Sequence, residues 1–137
     1  MHLFLLFVLL NGSKIQQTAP LSHFGNEKQT RFAYADSSKI LGTWIIDLRP
    51  TPNSEAYLKE FKFTKITGKT FDGEFYGYPF NGGFLNTDWD KVYFAFTTSD
   101  QSGTYYHSGS IDGDKIVGIT LNENRQFVLP WSGYRKK

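Results

Sequence analysis

From Leu41 to the C-terminus, apolar and polar residues alternate in short runs separated by turn residues. Trp44, Ile46 and Leu48 alternate with Ile45 and Asp47 and predict a first strand. Arg49-Pro50-Thr51-Pro52-Asn53-Ser54 breaks it. Tyr57 to Ile66 reads as a second strand, with Phe61 and Phe63 on one face and Glu60, Lys62 and Thr64 on the other. Phe71, Gly73, Phe75 and Gly77 alternate with Asp72, Glu74, Tyr76 and Tyr78 in a third, which Pro79 to Gly83 breaks. A short fourth strand is expected from Phe84 to Trp89, and a fifth from Val92 to Thr98 with Val92, Phe94 and Phe96 on one face. Thr104 to Ile111 predicts the sixth strand, and Asp112-Gly113-Asp114 a tight hairpin. Lys115 to Leu121 is the seventh and Phe127 to Arg135 the eighth.

Eight strands joined by short connections, with no helical period, predict an all-β fold, an antiparallel meander. Such a sheet must cover its apolar side and its edges, which a small up-and-down barrel does by closing. Eight strands enclose room for side chains or one small ligand. A two-layer sandwich is the alternative, but its long crossings need longer loops than this chain has.

The chain is similar here to the calycin-type barrels, the group of lipocalins, fatty-acid-binding proteins and avidins. The resemblance rests on Gly42-Thr43-Trp44 opening the first strand, the eight-strand meander and a basic residue closing the last strand. It implies that Trp44 lies near the barrel floor under an arginine from the chain's end, with Arg135 the matching residue and Arg125 second. It implies a container as architecture over residues 41–137. Ile45-Ile46-Asp47-Leu48 replaces the polar residues of an avidin biotin site, so biotin is not implied. Thr51 to Ala56 is too short for the helical pair of a fatty-acid-binding protein.

The N-terminus reads differently. Leu3 to Leu10 is an unbroken run of eight apolar residues, too short for a membrane span of about 20 and of the length of a signal-peptide core. Residues 11–38 are polar and aperiodic. Residues 1–38 are therefore expected to be a signal peptide with a polar lead-in, and residues 39–137 the barrel domain. The corresponding location is secreted or periplasmic, with the cytoplasm the alternative and a misassigned start among the competing readings.

Composition sharpens this picture at three points. Of 137 residues, 13 are Phe, 8 Tyr and 3 Trp, a supply of rings suited to a sheet interior. The net charge is +2, without the basic stripe of a nucleic-acid partner. There is no Cys, which excludes disulfides, thiolate metal sites, a cysteine nucleophile and a lipoprotein anchor.

Candidate chemistry centres on His107. If Ile111 and Ile116 face inward together across their hairpin, period 2 places Tyr105, His107 and Gly109 inward as well. An inward histidine can bind a ligand's polar group, serve in acid–base chemistry or ligate haem iron. It can equally be a hydrogen-bonded histidine of the core. Tyr105, His107, Trp131, Phe94 and Phe96 are the candidate ligand contacts. Gly42, Trp44 and Arg135 are the candidate closure. No second histidine within the strand region and no carboxylate cluster supports a metal site, and no cofactor is implied. Asp72 and Glu74 are expected to face solvent. Tyr76, Tyr78, Tyr93 and Tyr106 have outward parity, as a protein-binding patch, packed beneath the N-terminal segment, or singly.

The function that follows is a non-catalytic binding barrel for a small apolar or aromatic ligand in the lumen or at the mouth. A packed interior would instead leave an interaction or inhibitor module. A small-barrel cyclase or isomerase with His107 as acid or base is the third reading.

Overall fold

A computed structural model describes residues 36–137. The run Leu3–Leu10 and the signal-peptide reading lie outside the described residues. A 3-10 turn, Ser37–Ile40, precedes β1 (Gly42–Asp47), β2 (Leu58–Thr67), β3 (Thr70–Phe75), β4 (Tyr78–Asn86), β5 (Val92–Asp100), β6 (Gly103–Asp112), β7 (Lys115–Asn122) and β8 (Phe127–Arg135). Each strand pairs antiparallel with the next, and β8 returns to β1 from Trp44↔Arg135 to Asp47↔Ser132. The sheet is a closed eight-stranded barrel, as the alternation predicts. The resemblance to calycins reaches only this far.

The third and fourth strands depart from expectation. β3 does not run through Gly77, and the fourth strand does not begin at Phe84. Tyr76 and Gly77 take positive φ, 54° and 79°, and form a two-residue turn whose twist suits a hairpin. β4 therefore contains Pro79 to Gly83, the stretch read as a breaker. Pro79 opposes Glu74 of β3 and precedes the β4–β5 ladder, which runs from Phe84↔Ala95 to Asn86↔Tyr93. A strand residue without a neighbour on one side tolerates a missing N–H. The register with β3 shifts between Phe71 and Gly73, and the Gly82 N–H there donates to Asp72 Oδ1 at 3.0 Å. β4 ends at Asn86, so Trp89 is an exposed turn residue rather than part of the strand.

Inward residues follow period 2 along the strands except at the irregularities of β2 after Phe63 and of β4 between Phe80 and Gly83, and they fill the barrel with rings. Phe61 lies at the centre, with ring centroids 4.3 Å from Phe63, 5.0 Å from Phe96, 5.3 Å from Phe75 and 5.7 Å from Phe94. Trp131 joins from β8, 6.3 Å from Phe61 and edge-on. Burying each such side chain stabilises by about 1.5–3 kcal/mol. Room for Trp131 comes from a glycine opposite: a Cβ on Gly118 would lie 2.2 Å from Trp131 Cζ2.

One end of the barrel is sealed. Ile40 plugs it, buried beside Trp44. Trp44 Nε1 donates to the Ile40 carbonyl at 3.0 Å, and Arg135 Nη1 donates to the Leu41 carbonyl at 2.9 Å. The Arg135 guanidinium lies 4.6 Å from the Trp44 ring. Gly42 has φ 119°, a conformation that side-chain-bearing residues rarely adopt. Gly42, Trp44 and Arg135 thus act together as a floor.

Two substitutions test this packing. Arg135→Ala should lower unfolding free energy by about 1–2 kcal/mol, read by urea denaturation, with Arg135→Lys between it and the parent. An unchanged midpoint would reject the floor as a closure device. Gly118→Ala should cost about 1–3 kcal/mol by overpacking. A neutral result there would mean that Trp131 can move aside.

Candidate functional site

The opposite end of the barrel is open. The inward residues become polar toward it on three adjacent strands: Val92, Phe94, Phe96, Thr98 along β5; Ile111, Gly109, His107, Tyr105 back along β6; Ile116, Gly118, Thr120, Asn122 along β7. The rings stop at Phe75, Phe96 and Trp131. Above them lies a cavity of about 330 Å3. Leu48, Phe127 and Leu129 supply part of its apolar wall, and Phe75 and His107 lie at its base. Tyr57, Tyr76, Tyr78, Arg125 and Asp100 also line it.

His107 is buried, with its ring stacked on Phe96 at 4.4 Å and 13° and 4.3 Å from Phe75. Nδ1 is 2.9 Å from Thr120 Oγ1, and Nε2 is 2.9 Å from Thr98 Oγ1. Trp131 Nε1 donates to the same Thr120 oxygen at 2.9 Å. Burial pushes the His107 pKa down from 6.5 to about 4, because the low-polarity core disfavours the imidazolium. The ring is therefore neutral at pH 7, and both nitrogens already face threonine hydroxyls.

The rim is held by local hydrogen bonds. Asp47 Oδ1 accepts from the Arg49 N–H at 3.1 Å and the Tyr57 N–H at 3.0 Å, while Asp47 Oδ2 accepts from Arg49 Nε at 2.8 Å. These bonds, that to the Arg49 side chain foremost, pull the Asp47 pKa down to about 2 and clasp the β1–β2 loop. The Tyr57 and Tyr76 hydroxyls are hydrogen-bonded to each other, and Tyr76 stacks on Tyr78 with planes 3° apart. On the other side, buried Asn122 accepts from the Arg125 N–H at 2.9 Å. Arg125 Nη1 then donates to the Tyr105 hydroxyl at 3.0 Å.

The sequence candidates divide between these regions. Tyr105 and His107 line the cavity. Phe94, Phe96 and Trp131 do not; they are buried in the ring cluster beneath it. Arg125, the second choice to cover Trp44, lies at the mouth instead. Asp72 is bound to the Gly82 N–H, and Glu74 pairs with Lys62 Nζ at 3.0 Å. Tyr76 and Tyr78 belong to the rim, apart from Tyr93 and Tyr106, so the outward tyrosines do not make one patch. Thr98, Thr120, Asn122 and Arg125 were missed as site residues. Counting by twos from Ile116 would have placed Thr120 and Asn122 inward. Among the described residues no three histidines or carboxylates converge to hold a metal, and no helix is long and apolar enough to cross a membrane.

Comparison with protein-family models, curated proteins and solved structures finds no match to this chain.

The His107 environment sets a pH dependence. A histidine whose folded pKa lies below its unfolded value contributes stability above pH 6.5 that is lost as pH falls toward 4. The loss should approach about 3 kcal/mol, at 1.36 kcal/mol per pKa unit. Urea unfolding at pH 7.5 and pH 4.5 should show it. His107→Gln should flatten the change over that interval; a slope equal to the parent's would show that His107 is not its source.

Proposed function

We propose that this protein is a non-catalytic, calycin-like binding barrel that takes a small, largely apolar or aromatic ligand at its open mouth rather than in its lumen. The observation that carries this reading is the cavity of about 330 Å3 above the packed rings. Ligand sites commonly occupy about 300–1,000 Å3 and combine apolar walls with a few placed polar groups. Here the walls are Leu48, Phe75, Phe127 and Leu129, and the polar groups are Thr98, His107 and Arg125. The ring-filled interior limits the ligand to the upper part of the barrel. His107 supports a binding role over acid–base chemistry, since each ring nitrogen already faces a hydroxyl. Export from the cell belongs to the same proposal and rests on Leu3–Leu10 alone.

Naphthalene is a suitable first probe. Titration followed by amide chemical shifts should perturb Thr98, His107 and Leu129 and leave the floor residues Ile40 and Arg135 unmoved. Leu129→Trp, which fills the mouth, should weaken binding at least about tenfold, or 1.4 kcal/mol. Equal affinity in that variant, or shifts confined to the outer surface, would remove the reading.

One observation favours a protein-contact role as a second reading. The outward residues of β5–β8 carry no charge between the ends of those strands. Val117, Ile119, Leu121 and Val128 are exposed there, and Ile119↔Pro130 and Leu121↔Val128 are neighbours on β7 and β8. β2 and β3 instead present Glu60, Lys62 and Glu74 in an ion-pair network. Apolar outer faces of this kind mark contact surfaces. Sedimentation of the full chain against Ile119→Glu tests for self-contact: a concentration-dependent species that the charge abolishes supports it, and identical monomers exclude it.

A further inference from the structure

The hydrogen-bond chain at the base of the mouth has a direction. Trp131 Nε1 can only donate, and it donates to Thr120 Oγ1. The other partner of that oxygen among the described residues is His107 Nδ1. If Nδ1 carried the imidazole proton, the threonine oxygen would accept twice and its own proton would have no acceptor inside the core. An unpaired buried donor is costly, and Thr120 is buried. Thr120 therefore donates to Nδ1, and the proton of the neutral ring sits on Nε2. Nε2–H then donates to Thr98 Oγ1 at 2.9 Å. That leaves one unused proton, on the Thr98 hydroxyl. Thr98 is half-buried and lines the cavity. The chain from Trp131 to Thr98 thus transfers its unsatisfied donor from the core to the one place where an incoming molecule can accept it.

The surroundings define what that molecule offers. Among the described residues, no charged side chain is hydrogen-bonded to His107 or Thr98. Arg125 is exposed at the rim and engaged with Tyr105, and Asp100 is exposed too. An ionised ligand group at the base would lose water without gaining a counter-charge. A neutral acceptor gains a hydrogen bond and keeps its apolar flanks against Phe75 and Leu129.

We propose that the mouth selects ligands that bury a neutral carbonyl oxygen, as in a ketone, ester or amide, against the Thr98 hydroxyl, oriented by His107, Thr120 and Trp131. This inference rests on the mouth-binding reading and names the polar group that the ligand carries.

Benzophenone and diphenylmethane form a matched pair that differs by a carbonyl in place of a methylene. Diphenylmethane is the more apolar, so a mouth without a directed donor prefers it. Calorimetric or chemical-shift titration of the full chain should show benzophenone bound about five to ten times more tightly, the gain expected of one net hydrogen bond. Thr98→Val should abolish that preference, whereas Thr98→Ser should retain it. Long-range nitrogen–proton NMR of His107 should independently find the proton on Nε2. Equal binding of the two probes, or a preference that survives Thr98→Val, overturns the inference and leaves mouth binding intact. A proton on Nδ1 overturns it as well. Failure of both probes to bind overturns the mouth-binding reading and this inference together.

Discussion

The packing of aromatic rings around Phe61 is the constraint on which the rest of the structure depends. An eight-stranded barrel has an interior only about wide enough for its own side chains, and here that width is taken up by phenylalanines from β2–β5 and Trp131 from β8. Rings of this size interdigitate only where something small faces them, which is why Gly118 stands opposite Trp131. They also determine where empty space can exist. With the floor plugged by Ile40 and the middle filled, the space left inside the barrel lies at the mouth, and a reading that places a ligand within the barrel has to start there.

The two ends of the barrel handle polar groups in opposite ways. At the floor, the Ile40 and Leu41 carbonyls are received by Trp44 and Arg135, so the plug leaves no acceptor of these two residues open. At the mouth, hydrogen bonds run through Trp131, Thr120 and His107 to a hydroxyl that faces the cavity. The first arrangement consumes hydrogen-bonding capacity to close the barrel. The second delivers it to an accessible surface. His107 is neutral for the same reason that it is ordered: the rings that hold it exclude water and disfavour its charged form. A histidine so placed orients a neighbour better than it moves a proton.

Strand identity was legible because the inward face alternates so regularly. It failed between β3 and β4, where a tyrosine at positive φ makes the turn and a proline lies within a strand. Local propensity argues against both. They are tolerated because the hairpin requires that twist and because β4 has no β5 neighbour at Pro79. Parity also placed Tyr105, His107, Phe94, Phe96 and Trp131 inward correctly. It could not separate those that touch the cavity from those beneath it, since period 2 gives the face of a residue and not its height relative to the other strands. Height depends on the stagger between strands, which arises from pairings such as Phe96↔His107 and Thr120↔Leu129.

The sequence by itself determined the all-β class and the strand number, because these follow from local alternation, turn chemistry and the few ways a sheet can cover its edges; the floor of Gly42, Trp44 and Arg135 was implied only by the resemblance to calycin-type barrels. Tertiary structure alone decided that the lumen is full, that the mouth is open, and that Thr98, His107, Thr120 and Trp131 form one directed chain. Those outcomes depend on the volumes of side chains brought together from distant strands and on the register of their pairing, and neither quantity is written in any one stretch of the chain.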